Sequence, residues 1–500
     1  MARRKRGSSS PGFSSINDDL MQNIFERLSA ASFAYAACVS KSWNRVCSHI
    51  LFSRPKLASA LSVNPLPHVA FKEVVEKVLS KPIRPDFALV HVTGFNYNHN
   101  DTFRFLIERL GKKIPIIVSD VSGVMGRDAC TNEFTEVNSV VDGKNWINNW
   151  LCVTMTIGFL PGLKVGVFAL PKESNKVKIQ QFVRDVKQFS VTSSGCKDPV
   201  AMLMYGNRIV DQRPIIHALD TSFSKETIFV GSEKSEVFYR SGKESDHCFV
   251  HGQDIHDLVT LVIASDTNKP KGIGNVHFHA QLSRGLSPVG PVFQAISVSS
   301  SACGEFTYLT AKREGDEAIL DGPNTRSIIE NEFEEPVEYP ICYIGITRKG
   351  KRFSGLDSST LSFHALEEGN EDHLSVYGGG IHTRDYFQFY KLDANLALNS
   401  CNEVSEKIKN LKLNWDPHKI CRSNTVNEYI GGFVFTCWGR GESLFGQLQN
   451  AAPLVDNFPG ASFSGVFLNG EIARGFPTGY PSKCCLHVYS SVYLLLSYTP

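Results

Sequence analysis

Between Ile16 and Phe52 the chain carries more apolar side chains than a segment of about 37 residues can bury within itself, and that surplus restricts what the segment can become. Leu20, Ile24 and Leu28 recur at helical spacing with Phe25 beside them; Asn17 is placed to cap the start, and Asp18 and Asp19 oppose the helix dipole. A turn is expected at Ser29 to Ser32. Phe33, Ala36, Ala37 and Ser40 suit a second short helix, and Trp43, Val46, Ile50 and Leu51 continue in helical register with polar residues between them. A helical unit this small rarely persists without a staple or a partner, so the pattern predicts docking. The competing reading is an ordinary three-helix lid closed over the next domain.

The order of these residues resembles an F-box: Ile16 before the acidic pair and Leu20, then Ile24-Phe25 with Leu28, then Val39-Ser-Lys-Ser-Trp43-Asn, ending in Leu51-Phe52. Asn17 stands where that family usually has proline, a small departure because Asn also caps well. The resemblance implies a receptor subunit that binds the Skp-type adaptor of a cullin-RING ubiquitin ligase, with Ile16, Leu20, Ile24, Phe25, Leu28, Phe33, Val39 and Trp43 as the adaptor-binding residues.

Composition narrows the remainder. At 500 residues and 42% hydrophobic content the chain has ample material for large cores. With 52 basic against 50 acidic residues it projects no global field toward nucleic acid or an anionic membrane, so partners are expected to be read by local surfaces. Thirteen scattered cysteines without a secretory leader read as reduced thiols, and no apolar run approaches the roughly 18 residues of a membrane span. Cytoplasm and/or nucleus is the expected location. Arg3 to Arg6 would serve as an import signal, or simply as a basic tail.

Along the chain, residues 1–14 read as a disordered basic tail, 15–60 as the F-box, and 61–85 as a proline-containing linker with one helix, Val69 to Leu79. From Asp86 a strand, an amphipathic helix closed by Gly111 and a second strand predict a βαβ crossover. Further strands are expected near 150–157, 165–170, 200–205, 227–230 and 258–263, with a helix at 177–189. The second half is richer in Phe, Tyr and Gly and predicts strands near 293–298, 342–347, 387–392, 433–437, 463–468 and 487–498, with helices at 394–411 and 442–450. The fold class expected is α+β: a small all-helical F-box followed by a large, mixed, sheet-rich region. No leucine-rich period recurs, and Leu411, Leu413 and Asn414 are an isolated fragment of one.

Two sets of segments in this large region resemble a FIST (F-box and intracellular signal transduction) domain. Ser119 to Gly126, VTMTIGFLPGLKVGVF from Val153, and Gly272 to His279 leading into SRGLSPVGPVF resemble its N-terminal half; FVFTCWGRG from Phe433, LFG from Leu444 and FPGASFSGVFLNGEI from Phe458 resemble its C-terminal half. The resemblance implies a two-part region, 86–291 and 292–500, and an intracellular sensor of small, amino-acid-like ligands. The glutamine, cysteine and arginine expected around Gly285 are missing from Arg284 to Ser287.

Gly439-Arg440-Gly441 falls between a strand and a helix, where backbone amides and a guanidinium can meet an anion; Asn469 and Glu471 lie in a second polar turn that could meet an ammonium. Arg440, Gly441, Asn469 and Glu471 are therefore the ligand-binding candidates, against the plainer alternative of Arg440 and Glu471 paired inside the fold. Cys437 beside them is either a reactive thiol or an inert core residue. No metal or cofactor is expected: His247, His251 and His256 lack a fixed ligand frame, no C-x-x-C occurs, the Gly460 to Gly465 segment misses the nucleophile-elbow spacing, and Gly272-Ile-Gly274 and Gly378 to Gly380 are incomplete as nucleotide loops. The reading is a non-catalytic substrate receptor of an SCF-type ligase whose C-terminal region captures a protein target for degradation. A ligand sensor and an uncharacterised enzyme are the alternatives.

Overall fold

In a computed structural model the chain is described over residues 16–52, 54–94, 97–138, 151–243, 256–301, 305–330, 342–349, 359–367, 372–414, 428–445, 450–474 and 486–500. The basic tail with Arg3 to Arg6, and His247 and His251, lie outside the described residues.

Three helices, α1 (Asp18–Phe25), α2 (Ala30–Ala37) and α3 (Lys41–Phe52), form the N-terminal bundle. The Asn17 side chain accepts from the Leu20 amide at 2.9 Å. Ser29 accepts from the Ser32 amide at 3.3 Å, so the expected turn is instead the capped first turn of α2. The strand β1 (Lys56–Ser62) and helix α4 (Pro67–Val78) follow. Proline at the first turn of α4 costs no helical bond, and Phe71, Val74, Val75 and Val78 bury one face of that helix. The stretch expected as a linker is thus structural: β1 runs across the expected boundary at residue 60, and α4 packs on the sheet.

The main sheet has 15 strands. Its principal path runs from β1 through Cys152–Phe159, β2 (Phe87–Thr93) and β3 (Ile116–Asp120) to Ile228–Arg240, then Ser462–Arg474, Glu428–Cys437, Ser491–Thr499 and Asn275–Ser283. β2 and β3 are parallel and flank α5 (His99–Leu110), the expected βαβ unit. Burial on both faces explains the near-continuous apolar text of β2 and Cys152–Phe159, in which every residue is buried. A second sheet of seven strands occupies 286–392; the added pairing of Leu286–Ser300 with Phe306–Arg313 closes it into a ring around Phe293, Phe387 and Phe389.

This topology differs from a division at 291/292. That boundary falls inside the strand Leu286–Ser300, and strands from both expected halves alternate in the main sheet, where Ser462–Arg474 bridges Ile228–Arg240 and Glu428–Cys437. Local patterning marks strands well, but pairing partners more than 200 residues apart leave no periodic trace.

Candidate functional site

The bundle divides its apolar residues between two directions. Met21, Phe25, Phe33, Ala36, Val46, Cys47 and Ile50 form its core, and the rings of Phe25 and Trp43 lie 4.9 Å apart. Leu20, Ile24, Tyr35 and Val39 instead face outward, 54%, 41%, 77% and 63% exposed. Leu20 and Ile24 are successive turns of one face of α1, and Tyr35 and Val39 stand in the same relation across the end of α2. Covering these four side chains would release roughly 1 to 2 kcal/mol each, since about half of each is already wet.

The back of the bundle is attached to the body. The Ala30 amide donates to the Leu79 carbonyl at 3.0 Å, the Lys56 ammonium to Ile50 and Pro82 carbonyls, and Phe52 lies edge-on to Phe159 with the Arg84 guanidinium 5.0 Å from its ring. The outward side chains are therefore held at a fixed place on the molecule and not covered by it.

Of the residues expected to meet an adaptor, Leu20, Ile24 and Val39 are on this face. Phe25 and Phe33 are not: at 3% and 4% exposure they are the bundle's own filling and act on the face only through its shape. Ile16, Leu28 and Trp43 are half-buried against the same core. Tyr35 was missed by sequence reasoning, although Phe33 and Tyr35, two residues apart, must point about 200° apart on a helix, so burying one exposes the other.

The four ligand candidates take different positions. Arg440 is completely buried, donating from Nη1 to the Tyr489 carbonyl at 3.0 Å and from Nη2 to Ser283 Oγ at 2.8 Å and the Ala397 carbonyl at 3.4 Å. Glu471, equally buried, accepts through Oε2 from the Ser490 amide at 3.2 Å and the Ser490 hydroxyl at 2.7 Å. Burial pushes its carboxyl up to about 8, against the Ser490 hydrogen bonds and the Arg440 charge. No ion pair joins Arg440 to Glu471 among the described residues; they hold the neighbouring residues Tyr489 and Ser490. Gly441 is buried and Asn469 exposed.

These four therefore do not present free charges of both signs to a shared opening. The arrangement also accounts for Gly285: a Cβ there would lie 2.4 Å from the Tyr489 carbonyl oxygen and 3.1 Å from Arg440 Nη1. Cys437 is buried, and burial together with the Glu471 charge pushes its thiol well above the ordinary range, which makes it an inert core residue.

The segment that forms the capped, three-helix bundle is also the one that a known family matches. The F-box domain family matches residues 13–54. Over nearly its whole length it is also similar to an F-box/LRR-repeat protein of Arabidopsis thaliana, 36% identical over 506 residues, with 97% of this chain and 93% of the relative covered. The chain belongs to that family. The match supports a substrate-recognition role in an SCF-type ligase in general, and the F-box implies a Skp-type adaptor as partner. The leucine-rich repeat of the relative's name has no counterpart in the described ladders: a leucine-rich horseshoe needs stacked parallel strands, and only three of the 21 strand pairings here are parallel.

Proposed function

We propose that this chain is the substrate-receptor subunit of an SCF ubiquitin ligase, docking on the adaptor through Leu20, Ile24, Tyr35 and Val39 and holding a protein target on its sheet-rich body for ubiquitination and proteasomal degradation. The observation that carries this reading is the exposure of two apolar pairs, Leu20 with Ile24 and Tyr35 with Val39, on a bundle that is anchored to the body through other residues. Four of the 12 exposed large hydrophobic residues of the described chain fall on α1, α2 and the turn after α2. Such concentration marks an interaction site and not ordinary surface scatter.

Catalysis in this proposal is by proximity. The chain forms no covalent intermediate; it raises the effective concentration of target lysines at the charged conjugating enzyme. The FIST-like segments belong to the body in this reading, as a rigid platform for the target. Intracellular residence, cytoplasmic or nuclear, follows from the same proposal because the adaptor and cullin are found there. The test is reconstitution of the full chain with a Skp-type adaptor, cullin and RING subunit. A stable complex that supports ubiquitin transfer to a target recovered with the chain is expected; failure of the purified, folded chain to co-elute with the adaptor would overturn the proposal.

A further inference from the structure

A groove of about 500 Å³ opens where the bundle joins the body, along the first half of β1. Five cationic side chains line it, Arg54, Lys56, Lys77, Lys81 and Arg127, against a single acid, Glu428. That acid is already taken: both its carboxylate oxygens lie 3.0 Å from Arg54 Nη1. No carboxylate pairs with Lys77, Lys81 or Arg127 among the described residues, and Arg127 Nε is buried without a hydrogen-bond partner. Burial, and besides it the charge of Lys81, push the Lys56 ammonium down, while Glu26 pulls it up. Arg54 is paired with Glu428, Lys56 donates to the Ile50 and Pro82 carbonyls and Arg127 Nη1 to the Asn132 carbonyl, but Lys77, Lys81 and Arg127 have no carboxylate partner among the described residues, a charge that an anionic guest would balance.

The groove also offers backbone. β1 ends the path of the main sheet: Lys56 to Ser62 pair with Cys152–Phe159 on one edge, and among the described residues the other edge carries the bridge from Leu61 to Asp128 with the bond from the Ala129 amide to the Leu61 carbonyl, and no strand along Lys56 to Ser59. Lys56 to Ser59, four lining residues spanning roughly 13 Å, therefore have an open edge, the template for adding a strand. Charged side chains such as Lys56 at an edge discourage pairing with a neutral or basic strand and favour an acidic one.

We propose that this groove is the target-binding site, and that it takes an extended, Asp/Glu-rich segment of the target protein, which pairs with β1 as an added strand while its carboxylates meet Lys77, Lys81 and Arg127. This rests on the substrate-receptor reading above. The probe is a fluorescein-labelled peptide of alternating Glu and Val, eight residues long, titrated with the full chain, with Gln replacing Glu in the control. Saturable binding of the Glu peptide is expected, at least tenfold tighter than the Gln peptide, weakening at least threefold between about 0.05 and about 0.3 M salt. Lys77→Glu/Lys81→Glu, both on the surface side of α4 and its following turn, should lower affinity at least tenfold with unchanged thermal unfolding. Arg127→Gln should lower it less.

Equal binding of the Glu and Gln peptides, or no binding of either, overturns the groove proposal. So does equally tight binding of a single-stranded oligonucleotide, which would make the groove a general polyanion site. Adaptor co-elution is measured on the same samples. Retained adaptor binding with no peptide binding removes the groove and leaves the receptor function intact, whereas peptide binding without adaptor binding does the reverse.

Discussion

Leu20, Ile24, Tyr35 and Val39 are largely apolar and stand in water, whereas Arg440 and Glu471 are ionisable and touch none. Both regions invert the usual preference, but for opposite ends. On the bundle the inversion is uncompensated among the described residues: none of them covers the four side chains, and a partner would gain by doing so. In the body the inversion is largely compensated internally: Arg440 Nη1 and Nη2 and Glu471 Oε2 have found carbonyls, hydroxyls and an amide within the fold, while Arg440 Nε and Glu471 Oε1 are left without a partner among the described residues. A residue of unexpected polarity thus marks an interaction site when its counterpart is missing, and a structural node when its counterpart is present.

The strongest way to break this comparison is to charge the bundle. Leu20→Asp/Ile24→Asp should weaken adaptor binding about a thousandfold, ~4 kcal/mol, because two carboxylates would be desolvated in an apolar contact. Thermal unfolding of the body should not move, as both positions are exposed; adaptor binding retained by this variant would end the assignment of the face. Arg440→Ala should do the opposite. Removing a buried guanidinium that serves Tyr489, Ser283 and Ala397 should cost about 3 kcal/mol in denaturant unfolding, with adaptor affinity unchanged. If the variant were as stable as the parent, the node would not be structural.

Acidity sharpens the same contrast. Glu471, raised from 4.5 to about 8, binds its proton more tightly when folded, so its contribution to stability is complete below pH 4.5 and is lost as pH rises to about 8. His91, which burial lowers from 6.5 to about 3, contributes above pH 6.5 and loses that contribution as pH falls toward 3. Glu136, raised by burial to about 7, declines earlier than Glu471. Chemical denaturation between pH 7 and 8 should therefore show stability falling with pH, and Glu471→Gln should flatten that arm; an unchanged slope would remove Glu471 as its source. Adaptor binding, carried by uncharged side chains, should vary little over the same interval. The smallest effect is expected from Asn17→Ala, which removes the bond to the Leu20 amide and should cost the bundle about 1 kcal/mol, read as faster amide hydrogen exchange in α1.

Much of the bundle was legible because its information is local. Helical spacing placed Leu20 and Ile24 on one face, and Asn17 announced its cap. Phe25 and Phe33, expected to meet a partner, are instead buried in the bundle core, because a short amphipathic stretch shows which residues are apolar but not which of two apolar directions meets a neighbouring helix. Many of the strands, too, were visible one by one, though not Lys56–Ser62, Phe134–Asn138, Phe306–Arg313, Ser359–Glu367 or Leu374–Tyr377. Their order was not, and the boundary drawn at 291/292 crosses a strand.

By itself the sequence determined the bundle, the Asn17 cap, the mixed strand and helix character of the remainder and the F-box resemblance, since each depends on residues within a few turns of one another. Tertiary structure alone decided that Arg440 and Glu471 close on Tyr489 and Ser490, that Ser462–Arg474 joins the chain's two ends in one sheet, and that Lys77, Lys81 and Arg127 gather around the open edge of β1. These depend on which distant segments pair, a choice settled by burial and hydrogen-bond satisfaction summed over the whole molecule, and no local period records it.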